Sequence, residues 1–191
     1  MSRHELRLSG FGGQGIITAG HILGKAGALF DQREVTLIKS YGPESRGGAC
    51  SAQVIISDEA INYPHITKPS LLVSMSQEAY AKYVGELAEG GLLLIDKDLV
   101  DLTHPRDDIQ VRAIPSTRIA EELGRKIVAN IVMLGFVAAN IDVVSVDGLR
   151  QAVLSSIPKG TEELNTKAFD RGYEFGVALL AKGDAHVQAS S

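Results

Sequence analysis

The sequence predicts a three-layer α/β domain around a mixed, mostly parallel sheet. Strand-like runs alternate with helical periodicity through the first half, a glycine-rich connection joins two alternating runs, and helices collect in the second half. A chain of 191 residues can bury one substantial core. With no internal repeat, low-complexity tract or linker, residues 1–183 are expected to form one domain and 184–191 a flexible tail.

The first element is "HELRLSG" (His4 to Gly10), which alternates apolar and polar residues and ends in glycines, as a strand entering a loop does. From Gln14 the period changes. Ile16, Ala19, Leu23, Ala26 and Phe30 recur every three or four residues, marking one face of a helix. "EVTLIKS" (Glu34 to Ser40) and "ACSAQVIIS" (Ala49 to Ser57) are strands, and their short connection makes an antiparallel hairpin the simplest pairing. "PSLLVSMS" (Pro69 to Ser76) is a short apolar run of buried-strand type. "QEAYAKYVGELAEGG" sets Tyr80, Val84 and Leu87 on one helical face and stops at Gly90-Gly91. "LLLID" and "IQVRAIPS" are further strands. "STRIAEELG" opens with a capping pattern, Ser116 or Thr117 followed by acids, and closes at Gly124. A nearly all-apolar helix runs from Lys126 to Ile141, and "SVDGLRQAVLSSIP" is a short amphipathic one. In the last helix, "LNTKAFDRGYEFGVALLAK", Gly172 and Gly176 stand one turn apart and allow another backbone to come close.

Composition removes several function classes. A net charge of -4 with scattered Lys and Arg gives no basic field for a phosphate backbone, so no nucleic-acid partner is expected. Cys50 is the only cysteine, which excludes an internal disulfide and a clustered thiolate set for zinc or iron–sulfur, and fits a reducing cytoplasm. "MSRHELRLSG" lacks the apolar stretch of a signal peptide. "IVANIVMLGFVAANI", interrupted by Asn130, falls short of the roughly 20 residues that span a bilayer. No membrane association is expected.

Two loops carry the functional signal. "GFGGQG" (Gly10 to Gly15) matches G-x-G-x-x-G between a strand and a helix, where Gly12, Gly13 and Gly15 permit close backbone approach and the helix start presents N–H groups to an anion. The bland alternatives are helix–sheet packing or a subunit contact. Gln14 can donate and accept, and is expected to project into the same crevice. A dinucleotide site usually ends the second strand with an acid for the ribose. Here Lys39-Ser40 stands instead, and Lys39 suits a phosphate better. "SYGPESRGG" (Ser40 to Gly48) offers Tyr41, Glu44 and Arg46. The Arg46 fork can hold a carboxylate or phosphate, while a solvated Glu44/Arg46 pair would mean nothing functional. If the first two strands are parallel neighbours, both loops lie at one carboxyl edge. His21, His65 and His104 lack partners at ligand spacing, Cys50 reads as a small buried apolar residue, and no catalytic or metal constellation is legible.

"GFGGQG" before an apolar helix, "SYGPESRGG" before a strand, and "LNTKAFDRGYEFG" towards the end together resemble the gamma component of the 2-oxoacid:ferredoxin oxidoreductases. The likeness runs from His4 to Lys182. The "YGPESRGGACSAQVIISDEAINYP" stretch is closer to the 2-oxoglutarate branch than to the pyruvate or indolepyruvate branches. The resemblance implies the domain III fold of pyruvate:ferredoxin oxidoreductase, whose sheet tends to curl towards a barrel. It implies a non-catalytic gamma subunit beside alpha and beta subunits, with a cluster-bearing delta subunit in some members and ferredoxin as the acceptor of the complex. Thiamine diphosphate, Mg²⁺ and iron–sulfur clusters would sit on the other subunits. Coenzyme A would pass near Gly12, Gly13, Gln14, Gly15, Lys39, Tyr41, Glu44 and Arg46. The competing expectations are a gamma subunit for pyruvate or another 2-oxoacid, and a free-standing nucleotide-binding module.

Overall fold

A computed structural model describes residues 2–41, 48–102 and 106–183. Six strands form one sheet: β1 (Arg3–Phe11), β2 (Glu34–Ser40), β3 (Ala49–Ser57), β4 (Leu71–Ser74), β5 (Leu92–Asp96) and β6 (Gln110–Ile114). Their order is β2-β3-β1-β4-β5-β6. β3 is antiparallel to both neighbours and the remaining pairs are parallel, so the sheet is mixed and mostly parallel. The hydrogen-bonded series ends at β2 on one side and β6 on the other, so the implied curl towards a barrel stops short of a closed ladder.

The hairpin forms as its sequence suggests, with Glu34 opposite Ser57 and Ser40 opposite Ser51. The first two strands are not neighbours, however. β3 fills the gap, pairing through its other edge with the whole length of β1, Arg3 opposite Ser57 and Phe11 opposite Ala49. A strand buried on both faces and both edges must be nearly all apolar or small, and β3 is. Because β1 and β2 are both antiparallel to β3, they still run the same way, and their carboxyl ends remain at one edge of the sheet.

Helices cover the two faces unequally. α1 (Ile16–Lys25), α3 (Ser116–Glu122), α4 (Ala129–Asn140), α5 (Val146–Leu154) and α6 (Glu162–Ala181) share a core with Leu6, Leu8, Val54, Ile56 and Val73 of the sheet. α2 (Gln77–Tyr83) packs on the opposite face against Leu72, Leu93, Ile95 and Val111. Each fully buried Leu, Ile or Phe in these cores contributes about 1.5–3 kcal/mol. At the centre, α4 and α6 touch through backbone. A methyl group at Gly172 would overlap the Val132 carbonyl, and one at Gly135 would overlap the Phe169 carbonyl, so each helix needs a glycine where the other passes.

One capping expectation fails. Neither Ser116 nor Thr117 caps α3 with its own side chain. Both hydroxyls donate to Asp96 Oδ2 (2.6 and 2.7 Å), as does the Thr117 amide (2.8 Å). The cap therefore comes from the carboxylate that ends β5, a contact between residues far apart in the chain.

Candidate functional site

β1 leads to α1 on the helix-rich face, whereas its neighbour β4 leads to α2 on the other. Chains diverging from adjacent parallel strands leave a crevice at their carboxyl ends, the usual ligand position in open α/β sheets. "GFGGQG" occupies that position. Gly13 (φ 102°) and Gly15 (φ 73°) adopt left-handed backbone that other residues rarely accept, and Gly15 is the N-cap of α1. Gly15 is also crowded, since a methyl there would overlap Nδ2 of Asn130.

Gln14 belongs to the turn ahead of α1 rather than to its first turn. Its Oε1 accepts from the Phe11 amide (2.6 Å) and its Nε2 donates to the Met75 carbonyl (2.8 Å). The side chain thus ties the loop after β1 to the end of β4, bracing the turn across the divergence point. A cavity of about 300 Å³ opens beside it, lined by Gly13, Gln14, Thr117, Lys126, Ile127 and Ala129. Thr117 is held there by Asp96, and Lys126 faces Glu121 at 3.7 Å.

The second loop meets the first. The Gly12 amide points at the Gly48 carbonyl (3.4 Å), and the Ala49 amide donates to Glu78 Oε1 (3.3 Å) in the first turn of α2. Lys39 and Tyr41 are exposed at the end of β2. Glu44 and Arg46 lie outside the described residues. The structure therefore brings together Gly12, Gly13, Gln14 and Gly15, and sets the ends of the β2–β3 connection at the same edge. Around that edge stand three exposed large apolar side chains, Phe11 (41 %), Tyr41 (67 %) and Ile127 (64 %). With Lys39, Lys126 and the positive end of α1, they make a surface suited to an anion and to apolar contact.

Sequence reading missed Thr117, Lys126, Ile127 and Met75 as neighbours of the glycine loop, because only the sheet order brings them there. Asp96 carried a legible signal, an acid ending an apolar strand. Elsewhere, Cys50 is buried and burial pushes its thiol pKa up, although a backbone hydrogen bond opposes the shift. His21 is exposed, and His65 stacks at a tilt on Tyr63; His104 lies outside the described residues. Among the described residues no group of three or more His, Cys, Asp or Glu could hold a metal, and no helix is long and apolar enough to cross a membrane. One cysteine in the whole sequence cannot ligate an iron–sulfur cluster.

Comparison with known proteins gives a consistent pattern. Residues 5–175 match the family described as pyruvate ferredoxin/flavodoxin oxidoreductase. The 2-oxoglutarate synthase subunit KorC of Methanocaldococcus jannaschii is 53% identical over 179 residues, 93% of this chain and 96% of that protein. The pyruvate synthase subunit PorC of Methanothermobacter marburgensis is 33% identical, over 89% of this chain and 96% of that one. The crystal structure of a keto/oxoacid ferredoxin oxidoreductase gamma subunit from Geobacter sulfurreducens superposes with a TM-score of 0.85 at 43% identity, covering 93% of this chain and 98% of that one.

Proposed function

Since the chain belongs to the pyruvate ferredoxin/flavodoxin oxidoreductase family, we propose that it is the gamma subunit of a 2-oxoglutarate:ferredoxin oxidoreductase. The complex converts 2-oxoglutarate, coenzyme A and oxidised ferredoxin into succinyl-CoA, CO₂ and reduced ferredoxin. The observation that carries this reading is the near full-length identity to a KorC subunit, 53% against 33% for a PorC subunit. A pyruvate-specific gamma subunit is correspondingly disfavoured. A dinucleotide-binding module fits less well, because antiparallel β3 separates β2 from β1, β2 ends in Lys39-Ser40 with no acid for a ribose, and Gln14 spans the crevice.

In this reading the chain contributes no catalytic residue. Thiamine diphosphate, Mg²⁺ and the clusters belong to alpha, beta and, where present, delta subunits; for the clusters this agrees with a chain that has a single thiol to offer. The complex is cytoplasmic, where a lone thiol stays reduced. Coenzyme A supplies the thiol that accepts the acyl group. The gamma chain's share is to offer N–H groups at Gly13 and Gly15, with Lys39 and Arg46, to its phosphates, while Gly12 joins the two loops through Gly48 and Tyr41 and Glu44 serve the surrounding contact. Gln14 keeps that loop in shape rather than touching the ligand.

The test is reconstitution with the partner subunits, following ferredoxin reduction with 2-oxoglutarate and with pyruvate. Turnover with pyruvate but not 2-oxoglutarate would refute the substrate. In the same complex, Arg46→Ala is expected to raise KM for coenzyme A while leaving cluster absorbance intact. An unchanged KM would leave Arg46 without a ligand role.

A further inference from the structure

A second cavity, of about 310 Å³, lies behind the glycine loop, between α1, the start of α4 and the connection from α5 to α6. Its walls are mainly apolar, including Ile22, Ile131, Ile157 and Leu164. Two carboxamides are set into them, Asn130 and Asn165, only 7% and 5% exposed. Each is fixed by a backbone carbonyl: Asn130 Nδ2 donates to Gly15 O (3.2 Å) and Asn165 Nδ2 to Thr161 O (2.9 Å). Only the nitrogen of a carboxamide can face a carbonyl, so the orientation of both groups is determined. Their Oδ1 atoms accept no hydrogen bond among the described residues. Neither oxygen is sealed from solvent, so each stays open to a donor from a bound molecule. At the rim, Arg125 is exposed and makes no ion pair among the described residues, although Lys126 beside it faces Glu121.

An apolar chamber lined by two carboxamides, with an arginine that forms no ion pair among the described residues, has the make-up of a small-molecule site. We propose that this cavity binds a short-chain carboxylate carrying an amide. The alkyl part lies against Ile22, Ile131 and Leu164, the amide N–H donates to an asparagine oxygen, and the carboxylate faces Arg125. Asn130 also holds the Gly15 carbonyl, so occupancy is coupled to the shape of the glycine loop. The chamber borders the glycine-loop edge, sharing Gly15 and Ile127 with it, but the proposal does not depend on the coenzyme A reading.

The test titrates the isotope-labelled full chain with N-butyrylglycine and, separately, with butyramide, following the side-chain amide resonances of Asn130 and Asn165. Both probes are expected to give saturable shifts. Arg125→Ala should weaken N-butyrylglycine about tenfold and leave butyramide unchanged. Leu164→Phe, which narrows the chamber, should abolish both, and Ile131→Phe serves if that variant does not fold. Absence of saturable shifts up to about 10 mM overturns the proposal, as do shifts indifferent to Arg125→Ala and to narrowing. A chamber filled by a partner side chain in the assembled complex, seen as loss of probe binding there, overturns it as well.

Discussion

Asp58 shows how one exposed carboxyl can gather a local network. Ser2 and Arg33 both donate to it, and Arg33 reaches on to the Val143 carbonyl (2.7 Å). The Ser2 hydroxyl, and then Arg33, hold its pKa down at about 2. A depressed carboxyl pKa favours the ionised folded form. The stabilisation is therefore complete above the ordinary carboxylate pKa of about 4 and disappears as pH falls through about 2. Asp58→Asn should thus be less stable than the parent above about pH 4, with the gap closing towards pH 2; denaturant unfolding across that range checks it. Asp96 is the buried counterpart. Asp96→Ala leaves the Thr117 amide and two hydroxyls without their acceptor. At about 1–3 kcal/mol for an unsatisfied buried group, the loss should be on the order of 3 kcal/mol or more, read as a lower thermal midpoint.

At the scale of elements, hairpin and glycine crossing were legible because both are local. The β2 and β3 bounds follow from alternation and turn residues, and Gly172 and Gly176 announce a close approach on α6. What those glycines meet was not legible, since α4 was recognisable as buried but its partner was not. The same limit hid the true cap of α3, because Asp96 acts from 20 residues away. It also hid the placement of β3 between β1 and β2, because strand order depends on which edge is free. The crossing yields a sharp expectation. Gly172→Ala pushes a methyl into the Val132 carbonyl, which neither helix can move away from cheaply. Overpacking of this kind costs typically 1–3 kcal/mol and occasionally more, so a loss of about 3 kcal/mol is expected. A chain of this size should then melt about 6–12 °C lower. Gly85→Ala, where a methyl meets nothing, is the matched control and should leave the midpoint nearly unchanged.

For the whole molecule, the useful asymmetry is between the buried cores on the two sheet faces and an under-covered edge at the glycine loop. Phe11, Tyr41 and Ile127 are exposed together around the glycine loop, while Leu8, Ile16 and Ile131 just beneath are buried. Such a patch, rimmed by Lys39 and Lys126, has the composition of a protein contact. In a gamma subunit the natural occupant is another subunit of the same oxidoreductase. Ile127→Lys and Phe11→Ser place polar groups where water already reaches, so each should change the stability of the free chain by no more than about 0.5 kcal/mol. In co-expression with the partner subunits, both should sharply reduce recovery of the gamma chain with the complex. Val177→Lys, an equally exposed apolar position on α6, should not. Undiminished recovery of both edge variants would place the subunit contact elsewhere. Equal loss with Val177→Lys would mean that any added charge disturbs assembly, and that the glycine-loop edge has no special part in it.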